Sequence, residues 1–234
     1  MQPYPVTGNT TAASEYQASF ILKVYNWMTM GLAITALISL GIEVGLPGLK
    51  MIMVSNPMIF FVLLGLELVI VWVLSAVINK IPAFVAVLIF MAYAALNGVT
   101  LSIIFMVYTS ASIATTFFVT AAMFACTSIF GFITKIDLSR FGGILMMALI
   151  GLIIASIANI FVASSGLEWI ISYAGVIIFV GLTAYDTQKI KNMSTGIDSS
   201  SEEGGRASIM GALALYLDFI NLFLFLLRIL GRRR

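Results

Sequence analysis

The chain is 234 residues long, 61% hydrophobic and 9% charged, where soluble domains average about 25% charged residues, so it is a membrane protein. Its formal net charge of +2 comes with no basic patch suited to nucleic acid. It has no histidine and one cysteine, Cys126, which excludes histidine ligands and bases and an intrachain disulfide, and leaves proton sensing near neutrality to carboxylates.

Residues 1–19 are rich in Thr, Ser, Gln and Pro, with Glu15 as their one charge, and read as a disordered tail. They lack the basic start of a secretory signal, so the first apolar run is expected to stay as an anchor. Seven apolar runs follow, at about 22–42, 58–78, 83–107, 113–133, 142–163, 169–187 and 207–230. Each is close to the ~20 residues that carry a helix across a bilayer. Backbone groups in lipid must be satisfied internally, so the expected fold is all-α, with seven transmembrane helices. Residues 20–231 form one transmembrane domain in this reading, and 232–234 are a basic end.

The punctuation agrees. Glu43, Pro47, Gly48 and Lys50 read as a turn after the first span. Asn56-Pro57 opens the second span, Asn79-Lys80 closes it, and Pro82 suits the first turn of the third. Residues 108–112 are a short polar turn, and 135–140 a charged loop. Residues 188–206 are the longest and most polar connection.

Lysine and arginine set orientation. Lys23, Lys80, Lys135, Arg140, Lys189, Lys191 and Arg206 fall on one side, and Lys50, Arg228 and Arg232–Arg234 on the other. The internal loops favour the first side as cytoplasmic. That puts the N-terminus inside and, with seven full spans, the C-terminus outside. A re-entrant last helix would instead return the terminal arginines to the cytoplasm.

Three acids lie inside the spans: Glu67, Asp186 and Asp218. A carboxylate in hydrocarbon costs several kcal/mol, roughly 2.5–3.5 on insertion scales, and so tends to face the bundle interior and mark a pathway or switch. On the last span Gly211, Ala214, Asp218 and Asn221 recur at three and four residues, giving one small-or-polar stripe. On the sixth, Ser172, Gly175, Leu182 and Asp186 share a similar face. The plainer readings are acids held by Ser, Thr or Asn for packing, or an interfacial Asp186 paired with Lys189 or Gln188. The sharper reading pairs Asp186 with Asp218. Two carboxylates in a dry interior cannot both ionise cheaply, so they share a proton and titrate as a unit. Losing that proton turns attraction into repulsion between two helices, which makes a switch.

The same oxygens suit calcium. No dedicated calcium loop is present, so a weak transit site at Asp186 and Asp218, with Glu67 in support, fits better. Asn97, Thr100, Ser102, Thr120, Ser156 and the Gly151, Ala155, Asn159 series read as close packing and interhelical hydrogen bonds. No phosphate loop or zinc motif is present. Two acids could serve an intramembrane aspartyl protease, but the usual surroundings of such an enzyme are absent, so no enzymatic activity and no cofactor are expected.

The segments GLTAYDTQK (181–189) and ALALYLDFINLFLFLLRILG (212–231) resemble those of the transmembrane Bax inhibitor motif family, the Bax inhibitor family, in its bacterial branch. The resemblance implies a last helix that is central and surrounded by the other six. It also implies an inner-membrane, pH-dependent calcium leak gated by a hydrogen-bonded aspartate pair, carried over here to Asp186 and Asp218. Some members have a basic residue at the end of the second helix, for which Lys80 is the nearest candidate, and Glu67 looks like an acid of some relatives. Eukaryotic members are linked to cell-death suppression, and some bacterial relatives to membrane proteases.

Two functions follow as expectations. One is a pH-gated calcium (cation) leak channel or Ca²⁺/H⁺ exchanger. The other is a membrane-embedded partner of a protease or stress complex, with no flux of its own, docking through the tail and the 188–206 loop.

Overall fold

The computed structural model describes residues 8–195 and 197–234, with side chains from residue 17 onward. Its helices are α1 (Gly8–Gly45), α2 (Pro47–Ser55), α3 (Pro57–Val77), α4 (Ala83–Leu101), α5 (Ile104–Val107), α6 (Ser110–Ile133), α7 (Ser139–Val162), α8 (Ser165–Met193) and α9 (Glu202–Leu230). A 3-10 turn, Ile78–Lys80, follows α3. Seven segments are long and apolar enough to cross a membrane, from Gln17–Gly45 to Glu202–Leu230. The fold is therefore all-α with seven such helices among the described residues.

Prolines begin helices here. Pro47 and Pro57 occupy the first positions of α2 and α3, where a missing N–H costs nothing. Pro82, extended at ψ 147°, precedes α4. Thr109 caps α6, accepting from the Ser112 amide at 3.3 Å. Asn159 closes α7: its Oδ1 accepts from the Ser164 amide at 3.1 Å beside the left-handed Ala163 (φ 50°). The sequence reading had given Asn159 to interhelical packing.

Three other expectations change. The tail is not disordered throughout, because α1 begins at Gly8; Ala12, Ala13, Glu15, Gln17 and Ala18 are good helix formers with no proline among them. Residues 1–7 lie outside the described residues. The turn after the first span contains α2, since a proline that ends one helix also starts another. The third span keeps its expected bounds, Ala83–Val107, with a turn at Ser102 and Ile103 where Ser102 bonds back to Val99. The long polar loop shrinks to 194–201, because α8 and α9 both run into it.

The chain groups into two compact units, Met1–Ser102 with Ile190–Leu213, and Ile103–Lys189 with Ala214–Arg234. In the first, α1 packs along α4 and α3 packs on α4. The buried stripe of α1 is Phe20, Val24, Met28, Thr35, Ser39 and Ile42, at helical spacing. Gly98 lets the helices touch: a Cβ there would sit 2.7 Å from the Thr35 carbonyl oxygen. Thr35 Oγ1 in turn donates to Ala94 O at 2.8 Å. Lys50 on α2 pairs with Glu43 on α1.

In the second unit α8 is the shared surface. A Cβ on Gly131 of α6 would run into the Ala184 carbonyl, and one on Gly175 of α8 would lie 2.6 Å from the Phe225 ring of α9. Phe219 of α9 meets Phe117 and Phe124 of α6 edge-on, at 5.4 and 5.5 Å. On α7 only Leu152 is buried, so most of that helix's surface is exposed or half-exposed. The C-terminal residues are stapled down. Thr109 donates to Arg232 O and Arg234 to Val107 O, both at 3.0 Å, and Arg233 pairs with Glu168 at 3.2 Å.

Helix α9 is unbroken over 29 residues, about 44 Å at 1.5 Å per residue, enough for a full crossing. It is also the most enclosed: 67% of its apolar window is buried, against 6–39% in the other six.

Candidate functional site

Both aspartates belong to the second unit. Asp218, on α9, is 4% exposed, and its Oδ2 has no hydrogen-bond partner among the described residues. Asp186 lies half-buried on α8. The charge of Asp186 acts on Asp218, and that of Lys189 acts on Asp186. The fold thus brings the two acids within electrostatic reach. Buried polar atoms are almost always satisfied, so an orphaned carboxylate oxygen asks for a role. A proton or a cation would satisfy it.

The neighbours of the pair are mostly committed elsewhere. Asn221 Nδ2 donates to Leu217 O at 2.8 Å, onto its own helix. Gln188, read as a potential partner of Asp186, instead forks onto the 134–138 turn: its Oε1 accepts from the Leu138 amide at 2.7 Å and its Nε2 donates to Ile136 O at 2.8 Å. Lys189 is exposed. Thr187, next to Asp186, forms a buried hydroxyl pair with Ser128 of α6 at 3.0 Å. Sequence reasoning missed that pair. Its only signal was a hydroxyl adjacent to the acid.

Glu67 belongs to the first unit. It is 7% exposed and both of its oxygens are taken. Thr100 Oγ1 donates to Oε1 at 2.7 Å and Asn97 Nδ2 to Oε2 at 3.2 Å. The arrangement ties α3 to α4. Lys80 is exposed at the end of the 3-10 turn. Arg206 donates to the carbonyls of Asn79 and Ile81 at 3.2 and 3.5 Å, capping the end of that turn.

Among the described residues no group of three or more acidic, Cys or His side chains gathers as a metal site. Asp186 and Asp218 would offer a cation two carboxylates, fewer than the 6–8 oxygens calcium takes. The remainder would have to come from water and backbone.

A family profile described as "inhibitor of apoptosis-promoting Bax1" matches residues 17–234. The chain is 51% identical to the inner membrane protein YbhL of Escherichia coli K12 over 217 residues, 92% of each chain. A Borreliella burgdorferi protein is 45% identical over 215 residues, again 92% of each. A Deinococcus radiodurans protein is 44% identical over 212 residues, 90% of this chain and 89% of the other. Motifs, helices and relatives agree: this membrane protein belongs to the Bax inhibitor family.

Proposed function

We propose that the protein is a cation-conducting leak of the inner membrane, passing calcium as a channel or as a Ca²⁺/H⁺ exchanger, with Asp186 and Asp218 as its proton-sensitive gate. The observation that carries this is the Asp218 carboxylate, deep in the fold with one oxygen unpartnered and under the field of a second acid. Protonated, the pair holds α8 and α9 together through a shared proton. Ionised, it drives them apart or admits a cation between them. The relative's name supports the inner membrane, and the loop charges support a cytoplasmic N-terminus with the C-terminus outside.

The rival reading, a flux-free partner of a protease or stress complex, docks through the polar tail and the 188–206 loop. Most of 188–206 is helix. Lys23 Nζ donates to Ser199 O at 3.1 Å, and Glu202, at the start of α9, accepts from the α4 amide of Ala83 at 2.5 Å. The flux reading is therefore preferred. The test is calcium flux into proteoliposomes at pH 5–8 for wild type, Asp186→Asn and Asp218→Asn. Loss of the pH response in both variants is expected. Identical flux and pH response in all three would sink the gate.

A further inference from the structure

In the second unit, the inner halves of α6, α7 and α8 leave a groove of about 570 Å³. Cys126, Phe130, Leu138, Phe141, Gly181 and Tyr185 are among its walls, and almost all of its lining is apolar. Along α8 it runs from Ile177 to Tyr185, about 12 Å of helix at 1.5 Å per residue. That is most of one leaflet's share of a hydrocarbon core about 30 Å thick. Glycine lets α7 and α8 approach closely along it. Gly181 faces Leu145, and a Cβ there would lie 2.7 Å from a Leu145 methyl group.

What lies at the polar end of the groove points to its occupant. The 134–138 turn beside Leu138 carries Lys135, and the first turn of α7 carries Arg140; both are exposed. Gln188 pins this turn to α8 through its two hydrogen bonds, which sets exposed Lys189 on the same end of the unit. The one exposed acid there, Asp137, is 4.0 Å from Arg140, with both groups in water, so it screens little of that charge. An apolar slot with a basic mouth between transmembrane helices matches a lipid that has an acidic headgroup.

We propose that this groove is a binding site for one bilayer phospholipid with an anionic headgroup. Its acyl chain fills the slot and its phosphate lies against Lys135, Arg140 and Lys189. The inference does not depend on ion flux.

The test uses the purified full-length chain in detergent, supplied with phosphatidylglycerol or phosphatidylcholine of the same acyl chains. Native mass spectrometry counts retained lipid, and the rate of maleimide reaction at Cys126, the single thiol, reports whether the groove is covered. The expected result is one retained phosphatidylglycerol, at least about fivefold over phosphatidylcholine, with Cys126 labelling slowed to match. Replacing Lys135, Arg140 and Lys189 together by Gln should abolish the headgroup preference. Ile177→Trp should lower retention of both lipids by filling the slot, and Ile177 is 72% exposed, so the fold tolerates the change. Equal retention of the two lipids by wild type, or a preference unchanged in the Gln variant, overturns the proposal. So does a lipid-free dimer with Cys126 shielded whichever lipid is supplied, which would give the groove to a second copy. The wild-type arms alone decide the matter if a variant does not fold.

Discussion

Glu67 and Asp218 are buried to nearly the same degree, 7% and 4% exposed, yet the protein treats them differently. Around Glu67 two donors from α4 meet both carboxylate oxygens. Around Asp218 one oxygen meets nothing among the described residues, and the charge acting on it is another acid. Taking a carboxylate out of water costs about the same in either place, but only at Glu67 do neighbouring side chains offset the cost. A satisfied buried acid is part of the packing. An unsatisfied one leaves an oxygen open to a proton or a cation, as the proposed function requires.

The largest consequence should appear in transport. If Asp186 and Asp218 form the proposed gate, Asp218→Asn replaces its titrating group with an amide, and the ratio of calcium flux between pH 5 and pH 8 should collapse by about tenfold or more, to flat. Glu67→Gln keeps an acceptor for Thr100, and its ratio should stay within about twofold of wild type. Flux assays on the two variants side by side decide between them. A flat profile for Glu67→Gln with a normal one for Asp218→Asn would reverse the assignment.

Stability should rank the two acids the other way. Glu67→Ala removes the acceptor that Thr100 and Asn97 share across α3 and α4 and should lower unfolding free energy by about 2–3 kcal/mol. Asp218→Asn relieves a desolvated charge, and should leave stability unchanged or raise it by about 1 kcal/mol. Thermal or denaturant unfolding in one detergent measures both. Equal losses would mean that Asp218 is structural after all.

A sharper version turns one acid into the likeness of the other. Thr100→Val is nearly isosteric and removes the 2.7 Å bond to Glu67 Oε1, leaving that oxygen as bare as Oδ2 of Asp218. The cost should be about 1 kcal/mol. In an Asp218→Asn background, where the aspartate pair is silent, the change should also bring in a pH dependence of unfolding that the background lacks. Parallel melts at pH 6 and pH 8 read it out, and superimposable curves would show that the hydrogen bond does not set the protonation of Glu67.

How much of this was legible in the sequence depends on what each feature costs. The spans were plain because a helix in lipid must be apolar for some 20 residues, and the acids stood out against that background. Helix α2 was hidden because Pro47 and Gly48 mark a turn and a helix start alike. The break after Leu101 carries no proline; it comes from Ser102 folding back on Val99. Asn97 and Thr100 were visible as polar residues, but not as partners of Glu67, 30 and 33 positions away. That pairing depends on the rotation of α3 against α4, which no local pattern specifies. Gln188 was likewise read in its motif, while its true partners lie on a turn 50 and 52 residues earlier.

Exposed acids calibrate the comparison and carry its smallest effect. Ser139 donates its hydroxyl and its amide to Asp137 Oδ1, at 2.5 and 3.0 Å, and holds that carboxyl below the ordinary aspartate range. The Ser200 amide and hydroxyl do the same for Asp198, at 2.9 and 2.7 Å. Here hydrogen bonds are the largest influence favouring the ionised form, joined at Asp137 by the nearby Arg140 charge. A depressed folded-state value means that each turn gains its stabilisation fully above the unfolded aspartate value, near 3.9. The gain is lost as pH falls through the lower folded value. Amide exchange at Ser139 and Ser200 should therefore gain protection, relative to the intrinsic rate, as pH rises through that window. Ser139→Ala should move the midpoint at Asp137 up towards the ordinary value and leave Asp198 unmoved. A midpoint that stays put after losing the hydroxyl would mean that the amide alone holds the charge, and that counting donors around an acid, the basis for separating Glu67 from Asp218, overstates what each one contributes.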